Sequence, residues 1–240
     1  MTRRRWIADE VSGNHATLTG PHAEHLSRVL RAQVGQEFDI ATGDQVRRGR
    51  ITRIQTDRVE FELNEIIPVS SPPHLTLALS IFKFDRMDWA IEKCTELGVA
   101  RIIPVIARRT EAHLAAAAAK RVERWQRLVR QAAEQCRRVS PPEVSQPIKL
   151  KDALALQGST RILLSESEKD TMLTDALQAA PSSIVLALGP EGGWTDAEID
   201  QFREAGWSSA SLGVTILRAE TAAIAAVAVV LAELRQSENI

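Results

Sequence analysis

Two segments late in the chain hold the residues best suited to chemistry. The first runs Ile184-Val-Leu-Ala-Leu-Gly-Pro-Glu-Gly-Gly-Trp-Thr-Asp-Ala-Glu-Ile199: an apolar run enters a glycine-rich bend and leaves through a helix start. Glycines at 189, 192 and 193 let the main chain come close to a ligand, while Pro190 stiffens the bend. Thr195 and Glu198 have the T-x-x-E spacing of a capping box. The loop lacks the Lys-Ser/Thr pair of a triphosphate site and places Glu191 where an anion would be repelled, and its glycines do not have dinucleotide-fingerprint spacing. The second segment, Ser211-Leu-Gly-Val-Thr-Ile-Leu-Arg-Ala-Glu-Thr-Ala-Ala-Ile224, carries Arg218 and Glu220 just before an alanine-rich apolar run. Charges so placed reach the surface, pair with each other, or face a site.

The two segments suit a single ligand, because backbone groups and apolar side chains can hold an adenosine while a sulfonium favours nearby negative charge. Glu191 and Glu220 are both candidates for a proton acceptor, but either can instead hold the ligand or pair with Arg218, so no base is assigned. No metal is called for: Cys94 and Cys136 stand apart, with no CxxC and no Cys/His cluster. Cys136 falls in a helical pattern and reads as a packed thiol. The absence of a disulfide framework fits a reducing compartment, and the opening residues meet Asp9 and Glu10 where a secretory signal would be apolar, so a cytoplasmic location is expected. The longest uncharged apolar run, Thr221–Ala232, is short for the roughly 20 residues that span a bilayer, so a membrane partner is not expected.

A net charge of -1 conceals an uneven distribution. Residues 120–150 carry 8 basic and 3 acidic groups, whereas residues 151–240 carry 6 basic and 13 acidic ones. A polyanion is therefore expected to meet the earlier part of the chain. The candidates are His25, Arg28, Arg31, Arg47, Arg48 and Arg50 near the start, and Arg137 and Arg138 further on.

Those residues need elements to position them. From Trp6 to Ile67, β-prone segments such as 37–40 and 58–63 alternate with turn signals, including Thr42-Gly43-Asp44. A short helix at 21–31 interrupts them, with Leu26, Val29 and Leu30 at helical spacing. Pro68-Val-Ser-Ser-Pro-Pro73 disfavours helix and central strand alike and marks a domain boundary. Beyond it, strand candidates at 75–81, 101–106, 161–164, 184–188 and 210–212 alternate with helical segments, the pattern of a parallel sheet covered by helices. Asp85 is a candidate cap for a helix that ends at Gly98, and a long arginine-bearing helix follows the alanine run 115–119.

Taken in order, Leu188-Gly-Pro-Glu-Gly-Gly193, Leu212-Gly-x-x-Ile-Leu-Arg-x-Glu-Thr-Ala222, the run from Lys83 to Gly98, Glu134-Gln-Cys-Arg-Arg138 and His25-Leu-Ser-Arg-Val-Leu-Arg31 form a set. The set resembles the 16S ribosomal RNA uridine-N3 methyltransferases (RsmE type) of the SPOUT superfamily, and it covers nearly the whole chain. The resemblance implies an α/β fold, with a PUA-like RNA-binding β-barrel over residues 1–70 and a trefoil-knotted methyltransferase domain over 74–240. It also implies a homodimer acting on 16S ribosomal RNA in the 30S subunit, with S-adenosylmethionine as cofactor. The implied cofactor pocket comprises Leu164, Leu188, Gly189, Pro190, Glu191, Gly192, Leu212, Gly213, Ile216, Leu217, Arg218, Thr221 and Ala222, with Arg218 as the catalytic candidate. The sequence departs from the family pattern in having Ile216 where valine is common and Ser165-Glu166 after Leu164.

Overall fold

The structure, a computed structural model, describes residues 5–43, 45–68, 74–177 and 183–237. The chain divides into two units: Met1–Ser71 with Ala133–Pro141, and Pro72–Ala132 with Pro142–Ile240. Asp44 and most of the proline-rich boundary lie outside the described residues, as do residues 1–4 of the N-terminal segment.

The first unit holds strands β1 (Arg5–Ile7), β2 (Glu10–Ser12), β3 (His15–Thr19), β4 (Glu37–Ala41), β5 (Val46–Ile54) and β6 (Arg58–Ile67). They form one sheet in the order β1-β4-β5-β6-β3-β2, antiparallel except where β1 runs parallel to β4. Alternation drives it: Val59, Phe61 and Leu63 of β6 point inward with Leu18, Ile40 and Ile51. Strand β5 hides its period in the sequence because its register to β6 shifts twice, between Arg47 and Gly49 and between Ile51 and Arg53.

The expected helix at 21–31 takes a different form. Helix α1 (Gly20–Glu24) gives way to a π-helical turn over His25–Val29, closed by the Leu30 amide donating to the His25 carbonyl at 3.0 Å. The extra residue in that wide turn moves the apolar positions out of line, so Leu26 is buried while Val29 and Leu30 are exposed. Arg31 follows in the left-handed region, at φ 51°.

The second unit contains β7 (His74–Ser80), α2 (Phe84–Leu97), β8 (Arg101–Ile106), α3 (Ala112–Gln135), β9 (Glu143–Val144), β10 (Ile148–Lys149) and α4 (Leu150–Leu154). It continues through β11 (Thr160–Leu164), α5 (Leu173–Ala176), β12 (Ser183–Leu188), α6 (Asp196–Glu204), β13 (Ser208–Ala210) and α7 (Ala219–Ser237). The parallel sheet runs β10-β8-β7-β12-β11-β13, with β9 also on β8. Its strands are apolar on both faces because each face feeds its own core: Leu75, Leu77, Leu79 and Leu186 on one side, Ala78, Ile103, Leu163 and Val185 on the other. The first core takes in Met87, Ile91 and Cys94 of α2 and Ala223, Val227 and Val230 of α7.

Helix α2 ends at Gly98, whose φ of 126° suits glycine and whose amide reaches back to the Cys94 carbonyl. Its N-cap is Lys83, and Asp85 instead sits in the first turn, where its charge complements the helix dipole. The last residues of α3 change allegiance. Ala133 packs with Ile7, Ala41 and Val46, so residues 133–141 fold with the first unit, not within the 74–240 block expected from the sequence.

Candidate functional site

Register brings the informative loops together. Leu164 of β11 pairs with Leu188 of β12 on one side and Ala210 of β13 on the other, so three adjacent strands end level. The loops that follow, from Ser165, Gly189 and Ser211, leave the same carboxyl edge of the sheet, where open α/β sheets take their ligands. They enclose a cleft of about 280 Å³, near the lower end of the roughly 300–1,000 Å³ usual for small-molecule sites.

Leu164, Leu188, Gly189, Pro190, Glu191, Leu212, Gly213, Ile216, Leu217 and Ala222 all line the cleft. Gly192, Arg218 and Thr221 are not on its wall: all three are exposed, with Arg218 beside wall residues Leu217 and Ala219. The walls are mixed in character, with apolar Leu164, Leu188 and Leu212, carboxylates Glu166, Glu191 and Asp196, and one cation, Arg109, which donates to loop carbonyls. That combination fits a molecule with an apolar, hydrogen-bonding ring system and a positive charge.

The glycine loop is braced from several directions. Within it, the Gly193 amide donates to the Pro190 carbonyl at 2.8 Å, and the indole Nε1 of buried Trp194 donates to the Leu164 carbonyl at 3.1 Å. Arg109 Nη1 donates to the carbonyls of Gly192 at 2.5 Å and Trp194 at 3.1 Å. Gly193 has φ 68°, a conformation that strains any residue with a side chain, and a Cβ there would lie 2.9 Å from Glu166 Oε1, so the end of that side chain would have to move. The capping box expected from Thr195 and Glu198 is present. Buried Glu198 also accepts from the Arg108 amide at 2.7 Å, tying the loop after β8 to the start of α6.

The two carboxylate candidates share a cation that the sequence reading did not single out. Arg86 of α2 places Nη1 2.6 Å from Glu191 Oε1 and Nε 3.8 Å from Glu220 Oε1. Glu220 is buried and its Oε2 has no hydrogen-bond partner. Arg218 does not pair with Glu220, and its side chain is exposed. The signal for Arg86 was its place in the Lys83–Gly98 run, but only the packing of α2 against α7 shows which carboxylates it meets.

Of the thiols, Cys94 is fully buried, and burial pushes its pKa up to about 12, which leaves it inert as a nucleophile. Among the described residues no group of His, Cys, Asp and Glu is arranged to hold a metal ion, and no helix is long and apolar enough to cross a membrane.

The candidate polyanion contacts all fall in the first unit, including Arg137 and Arg138, which the sequence reading placed beside the second. His25 lies in the π-helical turn with its ring 5.8 Å from that of Trp6. Arg28, Arg31, Arg50 and Arg137 are exposed. Arg137, like Arg31, has a left-handed backbone, at φ 64°, and its carbonyl accepts from Arg5. Arg47 and Arg48 are committed to neighbours instead: Arg47 donates to the carbonyls of Leu63 and Asn64, and Arg48 lies 3.2 Å from Asp39 and 3.5 Å from Glu65. Burial lowers the pKa of Arg138.

Comparison with known proteins agrees with this architecture. The model of the RNA methyltransferase domain family matches residues 69–231. The ribosomal RNA small subunit methyltransferase E of Synechocystis sp. is 35% identical over 222 residues, covering 88% of this chain and 71% of that protein. The enzyme of the same name from Rickettsia conorii is 32% identical, covering 86% and 85%. A crystal structure of a ribosomal RNA small subunit methyltransferase E from Neisseria gonorrhoeae bound to S-adenosyl methionine superposes with a TM-score of 0.83 at 34% identity, covering 95% and 96%. The fold is thus that of the RNA methyltransferase class. Within that class, the chain belongs to the ribosomal RNA small subunit methyltransferase E family.

Proposed function

We propose that this protein methylates N3 of a uridine in 16S ribosomal RNA, in the decoding region of the 30S subunit, with S-adenosylmethionine as methyl donor. The observation that carries the reading is the convergence of the Gly189–Gly193 loop and the Leu212–Leu217 bend on one cleft with carboxylates at its rim. The donor supplies an electrophilic methyl group on a sulfonium. The chain's part is to exclude water from an adenosyl group with Leu164, Leu188, Leu212 and Ala222, and to offer main-chain groups at Gly189 and Gly213. Glu166 and Asp196 supply the negative charge that favours a sulfonium there.

Methyl transfer to N3 requires loss of the N3 proton and alignment of the two reactants, so positioning supplies much of the rate. Exposed Arg218, at the edge of the cleft, orients the RNA and stabilises negative charge developing on the uracil carbonyls. The basic groups of the first unit, Arg28, Arg31, Arg50 and Arg137 foremost, hold phosphates. Family membership supports a PUA-like first domain, a trefoil knot in the second, a cytoplasmic homodimer and an assembled subunit as substrate.

The test is to incubate the purified protein with labelled S-adenosylmethionine and 30S subunits lacking the modification, digest the RNA, and identify the labelled nucleoside by mass spectrometry. 3-Methyluridine is expected. A 2′-O-methyl nucleoside would place the chain with a different transfer chemistry. RNA binding without transfer would identify an assembly factor.

A further inference from the structure

We propose that Arg86 is a positioning residue of the cofactor cleft, holding Glu191 of the first loop and Glu220 at the start of α7 on one guanidinium and so fixing the two loops relative to each other. This rests on the cleft being the S-adenosylmethionine site. The loops come from different strands, β12 and β13, and neither contains a cation that holds the other. Arg86 stands outside both, on α2, with 2.6 Å to Glu191 and 3.8 Å to Glu220. A guanidinium is always charged and planar, so it meets two carboxylates from fixed directions, which a lysine ammonium does not.

Burial strengthens the case. The Glu220 side chain is 5% exposed, and a carboxylate taken out of water needs a counter-charge. The described residues around it supply Arg86 and leave Oε2 without a hydrogen-bond partner, so Arg86 is the group on which Glu220 depends. A consequence follows for the chemistry. Glu191 and Glu220 face a permanent cation and hold the loops in place, and the N3 proton leaves by another route.

The experiment measures binding of S-adenosylmethionine to the full chain by titration calorimetry, alongside thermal unfolding, for wild type, R86A, R86K, E191Q/E220Q and the triple variant R86A/E191Q/E220Q. R86A is expected to weaken binding by about tenfold or more, an energetic coupling within the range of contacting groups. In the E191Q/E220Q background the same change is expected to cost less than about threefold, because nothing remains for Arg86 to hold. R86K keeps the charge and is expected to unfold at a temperature near wild type while still binding more weakly. Should R86A fail to fold, R86K carries the test. R86K or R86A binding as tightly as wild type overturns the proposal, as does an equal loss from R86A in both backgrounds. In turnover assays, E191Q and E220Q are expected to raise KM for the donor more than they lower kcat; loss of kcat at unchanged KM in either would make that residue the proton acceptor. If wild type itself does not bind S-adenosylmethionine, the functional reading fails, and the role proposed for Arg86 falls with it.

Discussion

Arg218 shows what a single residue's surroundings decide. It follows an apolar bend, is exposed, and leaves Glu220 to Arg86, so its charge is available to a partner arriving from solvent. A cation aimed at charge that develops only during transfer acts on kcat, not on donor binding. Arg218→Ala is expected to lower kcat roughly a hundredfold or more while the donor Kd stays within about twofold. Single-turnover assays on unmodified 30S subunits check this, and a normal rate would remove Arg218 from the chemistry. The residue types were legible in the sequence, since glycines, carboxylates and Arg218 stand out against apolar neighbours. The pairings were not: an Arg218–Glu220 pair was a natural reading of two charges two positions apart, and the partner lies 134 positions upstream of Glu220, on a helix whose orientation no local pattern specifies.

At the scale of elements, the sequence was most legible where one force acts alone. Strands β7, β8, β11 and β12 of the second sheet read clearly because both faces are buried and each is a short apolar run, whereas two-residue β9 and β10 gave no signal and β13, Ser-Ser-Ala, lies two positions before the 210–212 expected. The cap of α6 read clearly because the T-x-x-E spacing encodes its own hydrogen bonds. Legibility failed where backbone geometry departs from the regular periods, in the π-helical turn at His25–Val29 and the doubly shifted strand β5. It failed also at the end of α3, whose helical pattern continues while its packing passes to the other unit at Ala133. The cap makes a prediction of its own. Glu198 accepts from the Thr195 amide, the Thr195 hydroxyl and the Arg108 amide, all between 2.7 and 2.8 Å, at 3% exposure. Its removal leaves the part-buried amides of Thr195 and Arg108 without this acceptor, and Glu198→Ala is expected to cost about 1–3 kcal/mol. Urea unfolding measures it; Glu198→Gln, which keeps an acceptor oxygen, is expected to lose less. A shift below about 0.3 kcal/mol for the alanine variant would show that α6 does not depend on this contact.

For the whole molecule, donor and RNA are proposed to engage different groups of residues. The acidic stretch 151–240 contains all three loops of the cleft, while the exposed arginines at 28, 31, 50 and 137 belong to the other unit. A sulfonium favours nearby negative charge and phosphates favour positive charge, so in the proposed function they engage different side chains while the target base meets the donor at the cleft. The left-handed backbones at Arg31 and Arg137 close helical segments: the Ala32 amide donates to the Leu26 carbonyl at 3.0 Å and the Arg138 amide to the Ala133 carbonyl at 2.8 Å. The two binding events should therefore respond differently to salt. Phosphate contacts release counterions, so affinity for unmodified 30S subunits or a 16S fragment is expected to fall by about tenfold or more between roughly 50 and 200 mM salt. Donor affinity, set within a small cleft, is expected to change far less over the same range. Arg28→Ala and Arg31→Ala should each reduce the slope of log K against log salt by about 1, whereas Arg47→Ala, whose guanidinium is already bound to strand carbonyls, should leave that slope unchanged and act on stability. Filter binding across a salt series separates these outcomes. A slope that Arg47→Ala lowers as much as Arg31→Ala would mean that the arginines of this unit act on RNA through their summed charge alone, whatever their contacts within the strands.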